Sequence, residues 1–536
     1  MKMDSSTHRP GNFLLAVLAV AVLGVALALL FTSCGGGGAA SASADPPAIP
    51  PSPLSTADVD AVVNAAVQSV NVPIVVAVTD RVGRILAIFC TDPPATMGAP
   101  CTPDTGLGNF GTTPDSQELA VALARTASFF SNSQAPLSSR TVRFISGIHF
   151  PPGVSFTPNA ALYGIENTNR GCSFNTTFIT GQEIPPSTLI NGTSPGLGII
   201  TGKADFNDSD PLSVNPGGVP IFKNGTLVGG VGVVAGTTSA SMDVAEYAAF
   251  VGSLAGGSDG IGLSVAPPGV VFIDGIALPF VNQTSAPAGI AAGSFRGSYN
   301  MGPNGDLPLA PEGYLVAAQA GPVGGLTQAE VSSIVANALA TANVTRAVIR
   351  LPLGSRTRMV IAVSDTNGTL LALNRMPDAT IFSIDVAVAK SRNVIYYSTP
   401  PAPVDLPGVP SGTAVTNRTI SFGAQPFFPP GIDGSGPGPF FDLYKQDTTF
   451  PCTQGSDKSN PQNQSGIVFF PGAVPLYRNG VIVGGLGVSG DGVEQDDFVT
   501  NGGSAGFEAP TAIRADQVFI DGVRLPYLKF PRDPTK

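Results

Sequence analysis

One feature constrains this chain more than any other: it is written twice. Ser55-Thr-Ala-Asp58 opens a segment with apolar residues at Val59, Val62, Val63, Ala66, Val67 and Val70. Thr327-Gln-Ala-Glu330 opens another, with Val331, Ile334, Val335, Ala338, Leu339 and Ala342 at the same spacing. A hydroxyl with an acid three residues on is a helix start, and the repeating stripe is one buried helical face. Val75-Val-Ala-Val-Thr-Asp80, a turn through Gly83 and Arg84-Ile-Leu-Ala-Ile-Phe89 then match Val360-Ile-Ala-Val-Ser-Asp365, Asn367-Gly368 and Thr369-Leu-Leu-Ala-Leu373. Asn-Gly predicts a type I′ hairpin turn there. Helical segments follow at Ser116–Arg125 and Ser383–Arg392, and Arg140–Gly153 aligns without a gap on Arg418–Gly431. Each copy then has a hairpin, Val219–Val233 or Val474–Val488, and a last strand, Val271–Gly275 or Val518–Gly522.

Self-similarity on this scale predicts two tandem domains. Hairpins, not helices, join the strand pairs, so a parallel βαβ sheet is excluded and the class is α+β, an antiparallel sheet with packed helices. The expected organisation is a signal peptide at residues 1–33, a flexible tether at 34–53, one domain at 54–285, a Gly/Ala/Pro-rich linker at 286–325 and a second domain at 326–530.

The first residues set the expected compartment. Lys2 and Arg9 precede an apolar run from Phe13 to Phe31, and Thr32-Ser33-Cys34 leads into Gly35–Gly38. This is the layout of a secretory signal. With a cysteine at the cut it resembles a bacterial lipoprotein signal, with lipidation at Cys34, although Phe31 stands where Leu is usual. The alternative is an uncleaved transmembrane anchor, since the run is long enough to span a bilayer. Either places the remainder outside the cytoplasm, lipid-anchored in the cell envelope on the first reading. Cys90, Cys101, Cys172 and Cys452 remain as candidate disulfide partners. Cys90 and Cys101 bracket one loop and are paired on that ground, leaving Cys172 for Cys452, with free thiols as the alternative for that second pair. The net charge of −10 and the lack of any basic run exclude a nucleic-acid partner.

The second copy resembles the GlcG/HbpS family of haem-binding domains. The resemblance rests on Leu326-Thr-Gln-Ala-Glu330, Ile361–Ala372, Arg375-Met376-Pro-Asp378-Ala, Ser383–Lys390, Val474–Gly480, Val483–Gly490 and Glu494-Gln-Asp496-Asp497. The first copy keeps Asp80, Gly83, Arg125 and Gly229-Gly230 but not the Arg-Met or Lys390 positions, as a degenerate sister domain would. The resemblance implies a profilin-like fold, often oligomeric, with haem or a related small anion as ligand; one usable histidine, no obvious nucleophile and no metal cluster point to a binding protein rather than an enzyme. The alternative is a structural or interaction lipoprotein that kept the fold without a pocket, with partners on the long loops at 153–218 and 431–471.

Carried onto this sequence, the resemblance marks Asp365, Arg375, Met376, Lys390, Arg392, Asp496 and Asp497 as ligand-site candidates. Lys390 and Arg392 lie about 200° apart on a helix, so at most one faces a common pocket. Arg125 and Arg392 read better as structural partners of Asp80 and Asp365, and Asp496 and Asp497 as helix-start carboxylates. His149, the only histidine after export, is a core-edge residue first and an iron ligand second. Because copy one has Leu123 at the Lys390 position, any site is expected within residues 326–498, with the cleft between the copies, used as a pseudo-dimer, as the alternative.

Two further motifs are discounted. Gly485-Leu-Gly-Val-Ser-Gly490 fits a dinucleotide fingerprint but lies in a hairpin strand. Gly502-Gly-Ser504-Ala-Gly506 fits a hydrolase elbow, yet no histidine follows it.

Overall fold

The computed structural model describes residues 52–91, 116–159, 161–167, 212–235, 239–255, 271–273, 275–293, 296–399, 404–449, 454–456 and 465–536. Cys34 and the segment around it, Cys101, Cys172 and Cys452 lie outside these residues. Among the described residues no helix is long and apolar enough to cross a membrane. Residues Pro51–Lys536 form one compact unit.

The first copy runs α1 (Thr56–Gln68), β1 (Val75–Asp80), β2 (Ile85–Thr91), α2 (Ser116–Phe130), α3 (Ser139–Ser146), β3 (Gly218–Lys223), β4 (Thr226–Val234), α4 (Ser239–Ser253) and the short hairpin β5 (Phe272–Ile273) with β6 (Ile276–Ala277). Strands β7 (Gly297–Met301) and β8 (Gly313–Val316) follow. The second copy runs α5 (Gln328–Val344), β9 (Val360–Ser364), β10 (Leu370–Arg375), α6 (Phe382–Tyr397), α7 (Asn417–Gly423), α8 (Phe441–Thr449), β11 (Ala473–Arg478), β12 (Val481–Ser489), α9 (Val493–Gly503) and the hairpin β13 (Phe519–Ile520) with β14 (Val523–Arg524). Two five-stranded sheets result, ordered β3-β4-β1-β2-β7 and β11-β12-β9-β10-β8, with every pairing antiparallel. The fold is α+β, and the four strands of each copy share one order; the outer strand follows copy one in the chain (β7) but precedes copy two (β8).

The stretch read as a linker is more than that. β7 pairs with β2 and β8 with β10, so residues 286–325 give each sheet an outer strand. Its Gly/Ala/Pro content hid the two short strands, whose side chains are only partly buried.

Local chemistry explains why the copies agree in detail. Ser55 and Thr327 each close a capping box, with Asp58 and Glu330 reaching back to the cap N–H. Thr79 faces Gly230 in one sheet and Ser364 faces Gly485 in the other, so the register is the same. A one-residue slip would turn every buried side chain to the opposite face, which fixes that register wherever both faces are covered. The turns Asn224-Gly225 and Asn479-Gly480 have positive φ at both residues, as type I′ requires. The turn at Asn367-Gly368 does not: only Gly368 has positive φ, and its N–H donates to the Asp365 carbonyl at 2.8 Å. It is a type I turn closed by a glycine bulge, as at Gly83, because Asp365 rather than Asn367 begins the turn.

Each sheet lies between helices. α1 and α4 cover one face of the first sheet and α2 the other, and α5, α9 and α6 repeat the arrangement. A Cβ on Gly230 would stand 2.1 Å from the Ala124 carbonyl, and one on Gly485 2.2 Å from that of Ser391. The Gly-rich strand therefore serves close helix–sheet packing, which also accounts for the fingerprint-like run ending at Gly490.

The halves share a core. Phe130 at the end of α2 stacks on Phe382 at the start of α6, with ring centroids 4.3 Å apart. Asp378 ties the halves together, accepting from the Ser133 N–H and hydroxyl (3.0 and 2.8 Å) and lying 3.5 Å from Arg81 and 2.7 Å from Arg350. Arg350 is fully buried and also pairs with Asp491.

Candidate functional site

Most residues singled out in the second copy are buried and already committed to internal contacts. Asp365 accepts the N–H groups of Val323 (2.9 Å) and Gly324 (2.6 Å), fixing the chain as it enters α5. Arg375 donates to the carbonyls of Ala379 and Pro311, and burial lowers its pKa to about 9. The Met376 sulfur accepts the Met359 N–H at 3.3 Å. Arg392 donates through Nε to the Gly368 carbonyl at 2.9 Å, and burial lowers its pKa to about 10. In copy one Arg125 does the same to Gly83 at 2.9 Å. These arginines are structural, but they hold the turn carbonyl rather than Asp80 or Asp365. Asp80 is instead met by the Arg84 Nε at 2.5 Å.

Asp496 closes the first turn of α9 and Asp497 follows it, but neither caps the helix: the N-cap Gly492 receives no side-chain hydrogen bond, the Asp496 N–H already donates to the Gly492 carbonyl at 2.8 Å, and each carboxylate takes a cation. Asp497 pairs with Arg418 and accepts the Lys529 N–H at 3.0 Å. Copy one repeats this with Glu246, which Arg140 contacts at 2.6 Å and the Asn282 N–H at 3.0 Å. Asp496 pairs with Lys390 at 2.9 Å, and that ammonium also donates to the Val488 carbonyl at 2.8 Å. Lys390 lies 4.8 Å from the centre of the Phe470 ring and has no exposed surface. It is therefore an internal partner of Asp496 and not a clamp for a ligand anion. Burial works against both charges, lowering the Lys390 pKa and raising that of Asp496 to about 7.

A cavity of about 370 Å³ opens between the halves beside this ion pair. Copy one gives it Phe130, Leu137, Ile145, Asn159, Ala161, Leu162, Ile165 and Ile273. The second half gives Arg346, Val348, Ile349, Phe382, Arg418, Phe470, residues 489–490 and 492–496, Lys529, Pro531 and Arg532. The volume lies within the roughly 300–1,000 Å³ usual for small-molecule sites. Its walls are mostly apolar, and four cations line it. Two of these are paired, Arg418 with Asp497 and Lys529 with Glu494. Arg346 and Arg532 make no ion pair among the described residues.

The expectation that a site would lie wholly within residues 326–498 does not hold for this cavity, since half its apolar wall comes from copy one. Neither Arg346 nor Arg532 stood out in the sequence. They sit in segments without a motif, nearly 190 residues apart, and only the fold brings them to one opening. Of the seven candidates in the second copy, Asp496 alone lines it.

The lining fits the organic part of an amphipathic anion: apolar faces against the walls, acid groups at the unpaired arginines. It does not fit haem iron as well, because no His, Cys, Met or Tyr is among the lining residues. His149 is exposed beside Phe156 and does not line the cavity. No group of three or more metal-ligating side chains occurs among the described residues. Cys90 is disulfide-bonded.

Residues 326–504 match the family described as haem degrading protein HbpS-like. No curated protein matches the chain. Similar solved structures include a PduOC:heme complex, 21% identical, covering 34% of this chain and 95% of its own, with a TM-score of 0.22. Protein ORFY of Klebsiella pneumoniae is 20% identical, covering 33% of this chain and 88% of its own, with a TM-score of 0.22. A double mutant of Streptomyces reticuli HbpS is 17% identical, covering 37% and 95%, with a TM-score of 0.20.

Proposed function

We propose, taking the HbpS-like domain at residues 326–504 as the premise, that the chain is an exported, lipid-anchored binding protein for a small amphipathic anion, with haem the first ligand to test. One observation carries this reading: an apolar cavity of about 370 Å³ with Arg346 and Arg532 unpaired at its wall. A flat hydrophobic ligand would gain roughly 25 cal/mol per Å² of apolar surface removed from water. Its acid groups would form charge-assisted hydrogen bonds with the two guanidinium groups, whose planar forks suit carboxylates. On this reading haem is held by its faces and propionates, without an iron ligand from the cavity wall.

The test is an absorbance titration of residues 51–536 with haem, repeated for Arg346→Ala/Arg532→Ala. A saturable Soret change that weakens about tenfold or more in the double variant supports the reading. Binding that ignores both arginines places the ligand elsewhere. No Soret change removes haem as the ligand. The anchoring is tested separately: Cys34→Ala is expected to move the protein from the membrane fraction to the soluble one, and unchanged retention favours a transmembrane segment.

A further inference from the structure

The two copies differ at one internal position in a way that faces the cavity. Gly217 in copy one is approached by the Leu123 and Ala245 side chains. Gly472, its counterpart, is approached by Lys390 and Asp496. The neighbouring arginine–acid contact is repeated, as Arg140–Glu246 and Arg418–Asp497, although Asn215 stands where Phe470 packs on Lys390. Copy one thus demonstrates that this frame packs with two apolar residues. A buried ion pair is not needed to build it, and burying two charges carries a desolvation penalty that an apolar pair avoids.

The ion pair also leaves something over. Lys390 occupies Asp496 Oδ2, while Oδ1 has no hydrogen-bond partner and Asp496 is only 2% exposed. Asp491 and Asp497 each keep a similar oxygen, but neither residue lines the cavity. A buried acceptor without a donor is costly unless a ligand supplies one. Arg532 is exposed and Arg346 half-buried, so the cations lie toward solvent and Asp496 lies deeper.

Resting on the reading that this cavity takes an amphipathic anion, we infer that Asp496 is its ligand-reading acceptor, positioned by Lys390. The ligand is then an amphipathic acid with a hydroxyl or N–H donor at the end remote from its acid group. Haem offers no such donor at the edge opposite its propionates, so the inference ranks a donor-bearing acid above haem.

The experiment measures displacement of 1-anilinonaphthalene-8-sulfonate fluorescence from residues 51–536. The competitors are fatty acids from octanoate to dodecanoate, each paired with its ω-hydroxy analogue. An apolar pocket prefers the plain acid, because a buried hydroxyl without a partner is penalised. Here the hydroxy acid of at least one chain length is expected to bind roughly tenfold or more tightly than its plain partner. In Lys390→Leu/Asp496→Ala, which writes the copy-one pair into copy two, the order should revert to the plain acid. A wild-type preference for the plain acid at every length overturns the inference whatever the variant does. So does an equal preference in wild type and variant. If no acid competes in either protein, the anion-binding reading itself falls, and this inference with it.

Discussion

The two halves of this chain solve one packing problem with opposite chemistry. Beside Gly217 the first half places Leu123 and Ala245; beside Gly472 the second places Lys390 and Asp496. Sheet order, register, capping boxes and the arginine–acid contact are otherwise repeated. The comparison separates what the fold requires from what one copy adds. Strand register and helix–sheet contact belong to the first class. The buried ion pair belongs to the second, and it occurs where the wall meets a cavity.

The largest expected effect comes from breaking that pair on one side. Lys390→Leu removes the cation and leaves Asp496 buried without compensation, which costs about 3–5 kcal/mol. The double variant Lys390→Leu/Asp496→Ala copies the first half and is expected to fall within about 1–2 kcal/mol of wild type, on either side. Denaturant midpoints for the three proteins decide it. A double variant as damaged as the single one would mean that the frames are not equivalent, and the comparison between halves would lose its meaning.

The turn arginines sharpen the same comparison from the side of likeness. Arg125 and Arg392 each hold a glycine carbonyl in the β1–β2 or β9–β10 turn, both at 2.9 Å. Replacing either by Ala should cost about 1.5–3 kcal/mol, the range for a hydrogen bond from a charged donor. Arg392 also donates to the Ser465 hydroxyl at 2.5 Å, so Arg392→Ala should cost less in a Ser465→Ala background than in wild type. A cost unchanged in that background would assign the whole effect to the turn contact.

Titration distinguishes the halves again. Burial lifts the Asp496 pKa to about 7, against the opposing pull of Lys390, while Asp497 and Asp491 push it further up. A carboxyl raised in the folded state binds its proton there before the unfolded chain does. Its contribution is full below the unfolded value near 3.8 and is lost as pH rises through about 7. The slope is at most about 1.4 kcal/mol per pH unit. Asp491 and Asp497 are raised in the same direction, so wild type alone does not isolate Asp496. The difference in slope between wild type and Lys390→Leu/Asp496→Ala, from pH 4 to 7, does. Parallel curves would show that Asp496 ionises at its ordinary pKa.

What could be read in the sequence follows from where the constraints act. Asn224-Gly225, Asn479-Gly480 and the Gly229-Gly230 and Gly484-Gly485 pairs answer to local backbone geometry, so they recur visibly and reveal the duplication. The outer strands β7 and β8 answer only to pairing with a distant neighbour, and their sequence reads as a linker. The cavity is the least legible part. Phe130 and Phe382 meet only because the halves dock, Arg346 and Arg532 only because the C-terminal segment returns past Arg346, and none carries a spacing that announces it. Family resemblance pointed to Lys390 and Asp496, but not to the fact that they face each other.

The smallest expected effect tests whether equivalent helix starts are equally important. Ser55 and Thr327 accept the N–H three residues on, both at 3.2 Å, and each box is backed by a cation from the second hairpin, Lys223 on Asp58 and Arg478 on Glu330. Burial alone would raise the Asp58 pKa, yet Lys223 and Ser55 hold it below its ordinary value; the Thr327 N–H does the same for Glu330. Such acids lend stability above their unfolded pKa and withdraw it as pH falls through the folded one. Ser55→Ala and Thr327→Ala should each cost about 1 kcal/mol at neutral pH. Ser55 should cost slightly more, because Asp58 is only 3% exposed and the Glu330 box lies in solvent. The excess should fade only as pH falls below the ordinary carboxylate range, where Asp58 protonates and releases Lys223. An excess that persists in acid would assign the difference to burial of the serine alone, and a larger loss at Thr327 would reverse the ranking of the two helix starts.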